Sequence, residues 1–502
     1  MDQKREGKRI WTPAGTDGTA LAGLRRPGVG AMLLALVGLH IWVQNQPFFW
    51  DTVQLAGKHA GYYFSTNFEQ LLLPEQLDSG HPPTFSLYLA VCWKLFGRSL
   101  PVSHWAMFPW TLLYLLGSWR VVAHWTPRRW VFPAVVLLWL DPVWLGQAVL
   151  VSPDIWVMAG FWWAIVGLQE RQRGVLLAAT CLLALTSTRG MMLTAALYGV
   201  ALVWHYLSYK QLSLRTAVRQ LLPFLPAALL GGGFLVWHYT QTGWIGYHAA
   251  SPWAPSFERV GWGGFAKNLA VLGWRVLDFG RVAAVLALGI CGGLLLRRWK
   301  TLTDDYRSLL LRWAALPLVV GIFTLPSFLM YQGLSGHRYL LPLLQWVLIG
   351  CLVVITHPIF SRHSKIIFGI VLLSLLFGHR WIYPRHISQQ WDASLAHQAY
   401  LPLRRAAFAY LDEQGIPYDS VGTVFPEIGP RNLRELGDDP RGLTDFRAHR
   451  TPYIWYSNLM NDFGDETLDT LADYPAVARW NSWGIELVLY RRPATNSPLY
   501  VD

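Results

Sequence analysis

Asp51 in QPFFWDTVQLAGKHAGYYF and Asp154 in VLVSPDIWVMAG each stand directly beside an apolar run. At Asp51 a carboxylate at such a boundary, partly shielded from bulk water, is suited to act as a general base. Each also has a plainer reading. Asp51 with Gln54 forms a capping-box pattern for a helix over 52–63, and Asp154 after Ser-Pro can cap the helix it opens. Residue types alone favour the cap at Asp51. At Asp154 capping weighs evenly against positioning an acceptor or a metal.

Arg189 in LTSTRGMML and Arg338 in LSGHRYLLPLL are the cations that need explaining. Both fall at span ends where basic residues are disfavoured, and Arg338 opens a helix whose dipole also opposes a cation. Snorkelling explains them partly. An anion shared between guanidinium and helix terminus explains Arg338 better and Arg189 to a lesser degree. His337 and Tyr339 flank Arg338 and could touch the same ligand. His81, ahead of Pro82-Pro83, either merely precedes a helix start or holds a phosphate there.

The elements that position these groups follow from composition. Of 502 residues, 53% are hydrophobic and only 14% charged, and mean hydropathy is +0.28. Runs such as VFPAVVLLWL at 131 and IIFGIVLLSLLF at 366 approach the length of a hydrocarbon layer of roughly 30 Å. A soluble enzyme, a disulfide scaffold and a disordered chain are excluded. The net charge of +12 sits mostly in loops between apolar runs, where it sets topology and does not signal nucleic acid.

Lys4, Arg5, Lys8, Arg9, Arg25 and Arg26 place the tail 1–28 in the cytoplasm ahead of a first span at 29–45. Segment 82–97 is short. If it crossed, Arg128, Arg129 and every later basic loop would be inverted, so it is expected to lie along the outer interface. Spans follow near 103–123, 131–149, 155–169, 174–187, 191–206, 220–239, 279–296, 313–330, 339–356 and 366–383. About eleven transmembrane helices form an all-α membrane domain over 29–383, with Asp304 and Asp305 solvated in a cytoplasmic loop. Residues 384–502 return to polar composition, with an amphipathic helix near 395–414, strand-like runs at 419–425, 452–458 and 484–490, and a helical DETLDTLADY. These make a small α/β domain, which the topology places outside the membrane.

Cys92, Cys181, Cys291 and Cys351 lie in apolar segments and offer no disulfide framework or metal cluster. Interfacial belts account for many of the 28 tryptophans. The glycine clusters at 231–233 and 292–293 suit close helix packing. No Walker motif, dinucleotide fingerprint or HExxH pattern is present, and nothing on the cytoplasmic side looks ready to bind a nucleotide.

The order of these features resembles the polytopic C-type glycosyltransferases, in particular the protein mannosyltransferase and lipid A aminoarabinose transferase group. The matching strings are Asp51 after the first span, HPPTFSLYLAVCWKLFG, LDPVWLGQAVLVSPD, LTSTRG and GHRYLLPL, which together cover roughly 30–360. The resemblance implies a glycosyltransferase of the cytoplasmic membrane that takes a sugar from a polyprenyl-phosphate donor, with its site on the periplasmic or extracellular side. It implies Asp51 as the acid of the family, Asp154 as a second external acid, and His81, Arg189 and Arg338 as phosphate contacts. Where the family carries an acidic pair after the first span, this chain has Asp51-Thr52.

The implied chemistry is a single inverting displacement, with Asp51 as base and the group around Arg338 holding the departing lipid phosphate. The acceptor is a lipid, glycan or protein. No cofactor is required by these residues, and two external acids leave room for a divalent cation. A transporter or lipid flippase is the alternative. It would call for buried charges and inverted repeats in the spans, which the nearly charge-free span cores lack. A protein that only binds during envelope assembly would need no acidic pair facing outward.

Overall fold

The computed structural model describes residues 27–249, 251 and 253–493. The basic tail with Lys4, Arg5, Lys8, Arg9, Arg25 and Arg26 lies outside the described residues. Among the described residues, four helices are long and apolar enough to cross a membrane: Thr188–Tyr209, Leu214–Thr242, Asp304–Met330 and His337–Ile355. Counting each of two bent pairs as one span raises the number to six. Gly28–Val43, Arg173–Thr186 and Ser364–Gly378 are apolar but shorter. At 1.5 Å per residue they rise only about 20–25 Å, so hydropathy alone, which suggests some eleven crossings, outruns the helix lengths. Thr84–Phe96 has 13 residues and rises about 20 Å, short of an upright crossing. Asp304 opens its helix with its side chain 94% exposed.

Outward positions such as Leu229, Val236, Ile322 and Phe377 are left bare by the protein, as expected of a surface that lipid covers. Tryptophan does more here than mark interfaces. Trp93, Trp125, Trp144, Trp162 and Trp346 are fully buried. Trp144 stacks on Tyr114 with ring centroids 3.3 Å apart, and Trp125 meets Trp346 edge-on at 5.2 Å.

The expected span at 131–149 is broken. Arg128–Trp139 and Pro142–Ala148 meet at 67°, because Pro142 has no N–H to continue the ladder and Asp141 instead caps the new helix. Its carboxylate accepts from the Val143 and Trp144 amides at 3.0 and 3.1 Å. The span expected at 279–296 likewise belongs to a pair, Trp262–Leu277 with Val282–Arg297, bent by 89°. Phe279 and Gly280 adopt φ of 50° and 79° there, and a Cβ on Gly280 would overlap the Ser374 carbonyl, so the turn needs glycine.

The two bends are joined by Arg281, whose guanidinium lies 3.2 Å from Asp141, both side chains fully buried. Removing one partner of such a pair strands a buried charge. Asp141→Asn keeps the helix cap yet leaves Arg281 uncompensated, and it is expected to cost about 3–5 kcal/mol, read as a lowered melting temperature of the detergent-solubilised protein.

The C-terminal region holds a six-stranded sheet: β1 Val421–Thr423, β2 Gly429–Pro430, β3 Gly442–Asp445, β4 Tyr453–Ser457, β5 Ala476–Ser482 and β6 Ile485–Arg491. The order is β2-β3-β1-β4-β6-β5, with β1 parallel to β3 and β4 and the other pairs antiparallel. β1, β4 and β6 coincide with the expected runs. β2 and β3 are too short for an alternating pattern, and β5 is a largely exposed edge strand with little apolar signal. Helix Tyr400–Glu413 packs on the sheet through Tyr400, Leu403, Ala407, Phe408 and Leu411, positions spaced three and four apart. The same core takes in Val43, Phe49, Trp50, Val149 and Leu150, so this domain is seated on the turn that carries Asp51.

Candidate active site

Asp51 lies in a tight turn between the first helix and Val53–Ala60. Trp50 takes a left-handed φ of 56°, and the Thr52 hydroxyl closes the turn, accepting from the Phe49 amide at 3.0 Å and donating to the Phe49 carbonyl at 2.6 Å. A bulky residue in that region is strained, and here it is held by burial and an edge contact with Phe425 at 5.1 Å. Val53–Ala60 is a wide π-type helix whose N-terminus receives no side-chain cap. The capping role that residue types favoured for Asp51 is therefore not taken up. Its carboxylate pairs with Arg338 instead.

Arg338 stands on the turn His337–Leu340 ahead of Leu341–Ile355. Its guanidinium contacts Asp51, Asp392 at 3.2 Å and the Tyr339 hydroxyl at 3.1 Å. Arg189, at the start of Thr188–Tyr209, pairs with Asp154 and donates to the Arg338 carbonyl at 3.1 Å. Tyr339 lies with its ring centroid 5.0 Å from both guanidinium carbons, close enough for cation–π attraction. Asp154 does not cap its helix with its side chain. The Ser152 hydroxyl accepts from its amide at 3.2 Å instead.

Asp51, Asp154, Arg189, Arg338 and Tyr339 are thus brought together. His81 adjoins them, its Nδ1 3.1 Å from the Thr188 hydroxyl. Burial and then the neighbouring Arg189 push His81 down to about 4, so at neutral pH it is an uncharged donor, not a cation. His337 is not brought to the cluster. It is fully buried, with Nε2 2.9 Å from Asp278, and that contact anchors the turn from which Arg338 projects. Asp278 also receives the Tyr383 hydroxyl.

Asp392 is the site residue that motif reading missed. It follows the last apolar run in QQWDASLAH and is 2% exposed by its side chain. Gly146 admits it: a Cβ there would come 2.7 Å from the Asp392 carbonyl oxygen and the Ser394 amide. Gln147 donates to that carbonyl at 2.9 Å and accepts from Ser152 at 2.6 Å, tying Asp392 to the Asp154 turn. The available signal was an acid between aromatic and small residues just beyond the final span. Burial, only partly offset by Arg338, pushes its carboxyl up to about 6.

Three carboxylates therefore face two guanidiniums. Nε of Arg338, Nε of Arg189 and Oδ1 of Asp392 are buried with no partner among the described residues, an uncommon concentration of unmet polar atoms. The arrangement can exchange a carboxylate for a phosphate on either arginine. Asp51 and Asp154 each engage a guanidinium, and no group of three metal-ligating side chains occurs among the described residues. Below pH about 6 Asp392 becomes neutral and ceases to compete for Arg338. Binding of an anionic phosphodiester is expected to tighten as pH falls through that point, and Asp392→Asn to abolish the step while matching the parent's low-pH affinity, measured by titration calorimetry at pH 5 and 8.

No family model matches the chain, and no curated protein matches it in sequence. Among solved structures it is similar to ArnT from Cupriavidus metallidurans, in a form bound to undecaprenyl phosphate at 12% identity and in the apo state at 13%. Each comparison has a TM-score of 0.52 and covers 92% of this chain and 97% of that one. Across nearly its whole length, the chain has the fold of ArnT, a likeness in line with the resemblance that its sequence motifs carry.

Proposed function

We propose that the protein is a membrane glycosyltransferase that moves a sugar from a polyprenyl-phosphate donor to an acceptor hydroxyl at the outer face of the cytoplasmic membrane. The observation that carries this reading is the junction of Asp51 with Arg338, and of Asp154 with Arg189, at one end of a fold shared with a protein that binds undecaprenyl phosphate.

At rest the base is masked, because Asp51 is engaged by Arg338. A donor phosphate entering between the arginines takes Arg338 from Asp51, aided by Arg189 and the neutral ring of His81. The freed carboxylate accepts the proton as the acceptor oxygen attacks the anomeric carbon. The bond from that carbon to the phosphate oxygen breaks, and its electron pair leaves on the lipid phosphate, whose charge the guanidiniums hold. One displacement inverts the anomeric configuration. Asp154 holds Arg189 and faces the acceptor side. His337 fixes the turn bearing Arg338.

This assignment is tested by mass spectrometry of envelope lipids and glycans from cells with and without the gene. Loss of a sugar-modified species is expected, and an unchanged profile would overturn it. The reading also requires the C-terminal domain outside and Arg129 inside. In a background whose four native cysteines are replaced by alanine, Ile387→Cys should react with an impermeant thiol reagent on intact spheroplasts and Arg129→Cys should not. Labelling of Arg129→Cys with Ile387→Cys protected would invert the arrangement and place 82–97 across the membrane.

A further inference from the structure

At the other end of the bundle a cavity of about 520 Å³ opens among the ends of helices Phe108–Trp125, Asp154–Gln169 and Thr188–Tyr209. Arg189 lies in the first turn of the last of these at the candidate active site and Ser208 in its last turn at the cavity, so nineteen residues of helix separate the two by roughly 28 Å.

The walls carry Arg171, Arg173, Arg219 and Arg312 with His124 and His205, and no Asp or Glu lines the cavity among the described residues. Arg171 donates to the Tyr209 hydroxyl at 2.6 Å and Arg312 to the Ser208 hydroxyl at 3.0 Å, so both rest on neutral oxygens. Glu170, adjacent in sequence, is occupied by Arg120 and Gln172. Nε of Arg312 and Nε2 of Gln169 are buried without an acceptor.

A basic end loop needs only charge in water to orient a membrane protein. Converging guanidiniums around a cavity, with buried donors left unmet, go beyond that requirement. We propose that this cavity binds a phosphate-bearing anion, either the head group of an anionic lipid from the adjoining leaflet or a free phosphate compound. Arg171 and Arg312 would grip its oxygens in the forked geometry that guanidinium offers phosphate, with Gln169 and Thr216 as neutral donors. This proposal stands apart from the transfer reaction.

The test uses the full chain in nanodiscs of phosphatidylcholine, doped with phosphatidylglycerol or titrated with inorganic pyrophosphate, with binding read by native mass spectrometry and calorimetry. The parent is expected to select phosphatidylglycerol or to bind pyrophosphate, which identifies the source as lipid or soluble. Arg171→Gln combined with Arg312→Gln should weaken that binding at least about tenfold. Should the double variant melt early, Arg173→Gln and Gln169→Leu, tested singly, should each weaken binding several-fold at an unchanged melting temperature. A parent that binds neither probe above the phosphatidylcholine level, or folded cavity variants that bind like the parent, would overturn the proposal.

Discussion

Asp51→Asn is expected to lower sugar transfer by about 10²- to 10⁴-fold, the range for loss of a general base, with donor binding retained. Asparagine keeps the shape of the side chain but cannot accept the proton. The fold should tolerate the change, because the turn is closed by Thr52 and no helix end depends on the Asp51 side chain. Its pair with Arg338 is largely buried, with side-chain exposures of 24% and 12%, so some stability is lost with it. Arg338 meanwhile keeps Asp392. Transfer assayed with purified enzyme, alongside its melting temperature, separates catalysis from folding. Near-parental turnover would reduce Asp51 to a structural partner of Arg338.

Arg338→Ala should be nearly as damaging, but through binding. Loss of a hydrogen bond to a charged group amounts to about 1.5–3 kcal/mol, or roughly 10- to 150-fold weaker retention of free polyprenyl phosphate. Turnover should fall further, since the departing phosphate loses its counter-charge. The variant also removes the group that holds down the Asp392 carboxyl, which should then rise above its value of about 6 and become neutral at physiological pH. That protonation limits the stability cost of an otherwise stranded carboxylate. Arg338→Lys keeps the charge without the fork and should fall between parent and alanine. Both affinities can be measured on one detergent-solubilised preparation. If the alanine variant binds polyprenyl phosphate like the parent, the donor site must instead be sought around His81 and Arg189.

The chain's own residues determined that it is a polytopic helical protein with a small α/β domain at its C-terminus, because hydropathy and alternating patterns are local properties. They also singled out Asp51, Asp154, Arg189 and Arg338, because a charge at the edge of an apolar run is visible without knowing its partner. Tertiary structure alone decided what those charges do. Asp51 meets Arg338 across 287 positions of sequence, a contact no spacing rule encodes, and the meeting displaces the capping role that local pattern favoured. His337, indistinguishable by position from Arg338, turns to Asp278 because adjacent residues on a tight turn face different ways. Asp392 joins the site only because Gly146 leaves room for its backbone. The bends at Asp141 and Gly280 interrupt runs that hydropathy reads as continuous, since a buried ion pair between them is a property of two distant segments packed together, not of either apolar run by itself.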